Sequence, residues 1–192
     1  MATKNAEDRR TARERLLDAA NELFYEEGVH TVGIDRVIER AGVAKATLYS
    51  AYGSKDELIR AYLDGRYHSR RERILGALER TEPPRDRLLV IFDVLSEAFA
   101  RPNYHGCAFV NASAEARPGS PIDQAVGEYR GWLRQLLVEL ATEAGAAHPE
   151  QLARQLHLLY DGAAVSAQID HDPDAAAPAR AAAELLIDAA VR

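Results

Sequence analysis

Lys45, Ala46, Thr47, Tyr49, Ser50 and Tyr52 fall within one short stretch, with a further cation at Lys55. Ammonium, hydroxyl and phenol groups donate to phosphate oxygens and to base edges. Leu48 is the apolar residue that would anchor the stretch if Lys45 to Tyr52 formed a helix. The remaining side chains would then form a small basic and hydroxyl-bearing face, a shape that suits the major groove of DNA. Lys45 and Thr47 are the better placed for base edges, and Tyr49, Tyr52 and Lys55 for phosphates. Two plainer readings stand beside this one: an exposed helical face with no partner, and a Tyr52 that is partly buried.

The neighbouring segments must position that helix. Ile34, Val37, Ile38 and Ala41 recur at helical spacing, and Gly42 ends their helix as a residue that tolerates positive φ. Val43 then points back into a small core. Ser54 and Glu57 have the spacing of a capping box, which places Lys55 at the first position of the next helix, where free amides also attract phosphate. Ahead of this unit, Thr11 to Glu27 reads as a helix with an apolar stripe of Leu16, Leu17, Ala20, Leu23 and Phe24, stopped by Gly28. Arg9, Arg10 and Arg13 could touch phosphate or the minor groove; the alternative is a solvated chain end.

The runs AGVAKATLYSAYGSKDEL and RERLLDAANELFYEEG together resemble the DNA-binding segment of the TetR/AcrR family of transcriptional regulators. The fixed spacing of Gly-Val, Lys, Thr-Leu-Tyr and Ser-Lys-acid-Glu-Leu carries the resemblance, over about the first third of the chain. Relatives usually carry Thr where Val32 stands, to cap the helix or meet phosphate; here Thr31 sits one place earlier. Ala44 replaces the usual Ser or Thr cap, forfeiting roughly 1 kcal/mol. Ile38 and Ala51 also depart from the family's small residue and His. The resemblance implies an all-α fold of about nine helices. A three-helix DNA-binding domain at 9–69, with its helix-turn-helix at about 32–51, would be joined by a long helix to a ligand-binding and dimerisation domain at 70–192.

Composition sets outer bounds. The 192 residues carry a formal net charge of -6, distributed as +1 over residues 1–80 and -7 beyond. An acidic second half is repelled by phosphates, so binding must rest on a few placed cations and helix N-termini. No apolar run approaches the roughly 18 residues of a membrane span, and the opening MATKNAEDRR has no apolar stretch of the kind a secretory signal needs. One cysteine excludes an internal disulfide framework, and a cytoplasmic protein is expected.

The second half reads as helices throughout. Lys55 to about Leu78 is one long helix, ended before Pro83 and Pro84. Arg85 to Ala100, Gly106 to Ala116, Ile122 to Ala144, Glu150 to Ile169 and about Ala175 to Val191 follow. The last two carry many small side chains, which permit close helix approach, and in two subunits they could build a four-helix interface. The family resemblance implies that homodimer, and with it a near-palindromic operator of double-stranded DNA whose half-sites lie about 34 Å apart. A small-molecule effector pocket would draw on Tyr67, Phe92, Phe99, Tyr104, Phe109, Asn111, Tyr129, Trp132 and Tyr160, any of which could instead be plain core.

Other chemistry finds little support. Cys107 has apolar neighbours and no adjacent cation, the setting of a packing cysteine rather than a redox sensor. The six histidines show no metal-ligand spacing; His157 is either interfacial or pocket-lining. No Gly-rich phosphate loop, Gly-x-Ser-x-Gly elbow or catalytic carboxylate pair occurs, so no cofactor and no enzyme activity are expected. The reading is a repressor released by an effector. An activator or a ligand-independent regulator of the same fold stays open, and a helical enzyme or carrier is the rival of another class.

Overall fold

The computed structural model describes residues 11–114 and 116–191. Among them nine helices and no strand occur: α1 (Ala12–Glu27), α2 (Ile34–Ala41), α3 (Lys45–Tyr52), α4 (Lys55–Leu78), α5 (Pro84–Phe99), α6 (Ala108–Ser113), α7 (Pro121–Glu143), α8 (Pro149–Ile169) and α9 (Ala176–Ala190). The chain divides into two compact units. One runs to Arg66 and takes in Ala108–Val126; the other comprises Tyr67–Cys107 and the chain from Gly127 onward.

In the first unit, local signals start and stop the helices. Thr11 Oγ1 accepts from the Glu14 N–H at 3.2 Å, and the Thr11 N–H donates to Glu14 Oε2 at 2.7 Å, a complete capping box for α1. Gly42 adopts φ 63, and the N–H of Val43 reaches back to the Ile38 carbonyl at 3.3 Å, closing α2. α1 packs on α2 and α3. Leu16, Val37 and Leu48 are fully buried between them. Of the predicted apolar face of α2, Val37 and Ala41 are buried, whereas Ile34 and Ile38 are only half-buried, as are Val43 and the Leu17 of α1. A three-helix unit has too little interior to cover every apolar residue.

In the second unit α5, α8 and α9 pack on one another. Pro84 and Pro149 open α5 and α8 at the position where a missing N–H costs nothing. Leu88, Leu89, Phe92, Leu95 and Phe99 are buried as their spacing predicts, and Ile91 joins them. On α9 the predicted Ala179 and Ala183 are buried, but Ile187 is buried in place of the predicted Leu186, which is half-buried. Arg85 donates to Glu184 at 2.9 Å and to Asp188 at 2.7 Å, tying the start of α5 to α9.

The predicted helix at 106–116 is shorter, Ala108–Ser113. Gly106 stands at φ 89, outside helical space, and a Cβ there would fall 2.1 Å from Gln168 Oε1. That close approach holds Gly106 in an extended lead-in rather than in the helix. No described helix is long and apolar enough to cross a membrane.

Candidate nucleic-acid interface

α3 is held by one deep anchor. Leu48 is completely buried, while Lys45, Ala46, Tyr49 and Ser50 are exposed and Thr47 is half-buried. Tyr49 is 46% exposed, its ring open to the surface. The helix starts after Ala44 with no side-chain cap, so its first amides remain available to an acceptor from outside. The structure thus turns Lys45, Ala46, Tyr49 and Ser50 outward, with Thr47 and Tyr52 half-buried.

Tyr52 departs from the phosphate role. It is half-buried, its hydroxyl donates to the Arg13 carbonyl at 2.9 Å, and the Arg13 guanidinium lies 5.0 Å from its ring centre. Burial pushes the phenol above its ordinary pKa, so it is a neutral donor. Tyr52 therefore docks α3 on α1. Arg13, in the same contact, is stacked on that ring. Arg9 and Arg10 lie outside the described residues.

Thr31 is exposed and does not cap α2, whose N-terminus at Gly33 has no side-chain cap. At α4, the Glu57 N–H donates to Ser54 Oγ at 3.1 Å, as predicted, and Lys55 is half-buried at the first helical position. Lys45 Nζ bonds Asp35 Oδ1 at 3.1 Å, and that bond raises the ammonium's pKa. Asp35, exposed in the first turn of α2, thus holds the leading cation of α3.

Most arginines of this unit are engaged internally. Arg36 pairs with Glu27, and Arg40 pairs with Glu22, both linking α2 to α1. Arg15 donates to the Ala41 carbonyl at 3.2 Å, and Arg66 stacks 3.9 Å from the Tyr25 ring centre. These contacts tie α1 to α2 and leave few of the described arginines of this segment free to meet phosphate.

In the second unit, four of the nine predicted pocket residues come together. Tyr67 lies 5.5 Å from Trp132 and 6.2 Å from Tyr129, ring centre to ring centre. Tyr129 and Tyr160 place their hydroxyls 3.3 Å apart. Arg70, which sequence reading passes over, donates to Tyr160 at 2.9 Å and to Tyr129 at 3.3 Å, and among the described residues no carboxylate pairs with it. A guanidinium aimed at two phenols leaves no linear signature, because the three residues come from α4, α7 and α8. Phe99 and Tyr104 form a separate pair at 4.9 Å, and Phe92 is buried. Phe109, buried, and Asn111, half-buried, sit on α6 in the first unit. Cys107 is buried. Among the described residues no cluster of His, Cys, Asp and Glu could hold a metal ion.

Comparison with known proteins gives the same reading. Residues 16–62 match the family model described as bacterial regulatory proteins, tetR family. Residues 84–183 match the tetracyclin repressor-like C-terminal domain. A TetR-family transcriptional regulator from Streptomyces coelicolor is 32% identical, with 94% of this chain and 96% of that one covered and a TM-score of 0.89. The HTH-type transcriptional activator FasR of Mycolicibacterium smegmatis is 40% identical over 76 residues, 40% of this chain and 35% of that protein. The HTH-type transcriptional regulator TtgW of Pseudomonas putida is 35% identical over 35% of this chain and 51% of its own length, so the chain spans about half or less of these curated relatives. With both its amino-terminal and its carboxy-terminal portions matched, the chain belongs to the TetR family of helix-turn-helix, DNA-binding transcription regulators.

Proposed function

We propose that the chain acts as a homodimeric repressor that leaves its operator when a small molecule binds the second unit. The observation that carries the DNA-contact reading is the outward face of α3: Lys45, Ala46, Tyr49 and Ser50 exposed around a single buried Leu48. Lys45 and Thr47 read base edges; Tyr49, Lys55 and the open amides of α3 fix the register on phosphates.

Pairing of two chains through α8 and α9 is supported by apolar side chains left in solvent. Leu158 is 68% exposed, Ile169 70% and Leu185 73%. Leu158, Gly162, Val165 and Ile169 follow one another at three- and four-residue intervals along α8, which makes one stripe. A self-complementary stripe of that kind closes as a two-fold dimer.

The effector packs on Tyr67, Tyr129, Trp132 and Tyr160, with Arg70 as the cationic handle. Its binding shifts α4 and so the distance between reading helices, to the extent that its affinity differs between the two states. The test is binding of Lys45→Ala and Tyr49→Ala variants to the DNA upstream of the chain's own or neighbouring gene. Unchanged affinity together with an unchanged salt slope removes α3 from the role.

A second reading, activation, is favoured by the match over 76 residues to a named transcriptional activator. Transcript levels of the neighbouring genes after deletion separate the two: a rise means repression, a fall means activation.

A further inference from the structure

Beside the proposed dimer stripe, with which it shares Leu158, three arginines converge on a cleft within the second unit. It has a volume of about 330 Å³ and is lined by Arg130, Arg134, Arg154, His157, Leu158 and Asp161. Helical spacing assembles it: Arg130 and Arg134 are one turn apart on α7, and Arg154, His157 and Asp161 follow at one-turn steps on α8. Arg130 and Asp161 form a two-pronged pair at 3.2 and 2.7 Å that joins the two helices. Arg134 and Arg154 are both exposed and have no partner among the described residues. With one carboxylate against three guanidinium groups, the cleft carries excess positive charge in the more acidic half of the chain.

His157 makes this more than a charged surface. Its side chain is 6% exposed, and Nε2 is buried with no hydrogen-bond partner. The nearest carboxylate oxygen, Asp161 Oδ2, is 3.8 Å away, beyond hydrogen-bond reach. A buried polar atom left without a partner is costly, and native structures rarely keep one without a reason. With the proton on Nε2 the missing partner is an acceptor, at the wall of a cleft whose other unpaired groups, Arg134 and Arg154, are donors.

We propose that this cleft binds a small dianion bearing oxygen acceptors, either a phosphoryl group or a pair of carboxylates. Arg134 and Arg154 supply charge-assisted hydrogen bonds, and a small shift of the buried His157 ring brings Nε2–H to the anion as the third. The volume is at the lower end for ligand pockets, which limits the ligand to a compact molecule. The bound anion bridges α7 and α8 beside the existing Arg130–Asp161 pair. The site stands independently of any DNA contact.

A second feature follows from the groups facing His157. Burial holds its pKa down; Asp161 opposes this, and the charges of Arg130 and Arg134 add to the lowering. A dianion placed among Arg130, Arg134, Arg154 and Asp161 favours the imidazolium, so occupancy strengthens as the pH falls below 6.5, the ordinary histidine value.

The test is calorimetric titration of the full chain with sodium sulfate and with sodium succinate, at constant ionic strength and with chloride as control, above and below that pH. Saturable binding of either anion is expected, and the stronger of the two tells phosphoryl-type from dicarboxylate ligands. Arg134→Ala and Arg154→Ala should each weaken it about tenfold. His157→Gln keeps an N–H donor, so it should retain binding at neutral pH and lose the strengthening in acid. Heats equal to those of chloride, or parental affinity in both arginine variants, overturn the proposal. So does dissociation of a dimer by those variants with no anion binding in the parent, which makes the cleft a seat for a carboxylate of a second copy. Operator affinity is scored separately, so failure of the DNA reading leaves this result intact.

Discussion

Lys45 Nζ lies 3.1 Å from Asp35 Oδ1, which ties the first turn of α3 to the first turn of α2. Both side chains are well exposed, 57% and 81%. The leading cation of the proposed DNA-contact face is therefore already matched to a carboxylate, one that would itself be repelled by phosphate. An exposed pair of this kind adds little to stability, so its main effect falls on what Lys45 can reach.

Asp35→Ala should raise affinity for DNA of any sequence about fivefold at low salt, with the gain shrinking as salt rises. Lys45→Ala should lower affinity and reduce the salt slope by about one counterion. Fluorescence anisotropy across a salt series reads both. If Asp35→Ala weakens binding instead, the carboxylate orients Lys45 rather than competing with DNA for it.

Tyr52 and Tyr49 should separate cleanly. Tyr52→Phe removes the bond to the Arg13 carbonyl and should cost about 1 kcal/mol of unfolding free energy while leaving DNA affinity near the parental value. Tyr49→Phe should do the reverse. Chemical denaturation alongside DNA titration distinguishes them, and a Tyr52→Phe variant that is fully stable but binds poorly would return Tyr52 to the DNA face.

Leu48→Ala opens a hole in a core with little else to fill it. Leu48 is wholly buried, so a loss of about 2 to 5 kcal/mol is expected, enough to loosen the first unit. Amide hydrogen exchange should show α1 to α3 opening while α5, α8 and α9 keep their protection. Uniform protection in both units would mean that the site can collapse around the smaller side chain.

Leu158→Glu with Leu185→Glu should yield a monomer. Both residues are exposed in the single chain, 68% and 73%, so charge there should change the stability of one chain by no more than about 0.5 kcal/mol. Light scattering reads the mass. An unaltered dimer would place the interface elsewhere.

Stability should also fall as the pH drops below 6.5 through the titration of His157. Its pKa is lowered in the folded chain, chiefly by burial, so the unfolded chain binds more protons in that range and acid favours unfolding. His157→Gln should flatten that limb of the curve. Thermal midpoints measured across the range provide the check, and an unchanged slope would assign the acid sensitivity to another group.

The sequence alone was enough for the type and sites of the helices and for the anchor of the reading helix. Thr11, Gly42, Ser54, Pro84 and Pro149 act within one or two turns of themselves, so their effect on the backbone is legible without a partner. Leu48, alone and apolar among polar neighbours, could bury only itself.

Tertiary packing decided what local spacing leaves equivalent. In the run Leu185-Leu186-Ile187 all three side chains are apolar; only the approach of α5 and α8 selects Ile187 for the core and leaves Leu185 in solvent. The same holds for polar groups joined across helices. Tyr52 to Arg13, Arg70 to Tyr129 and Tyr160, and His157 with an unpartnered Nε2 depend on distances between residues from 39 to 90 positions apart or on the space left around a buried ring. Those distances are set by how helices cross, and a periodic pattern along one helix carries no information about the crossing.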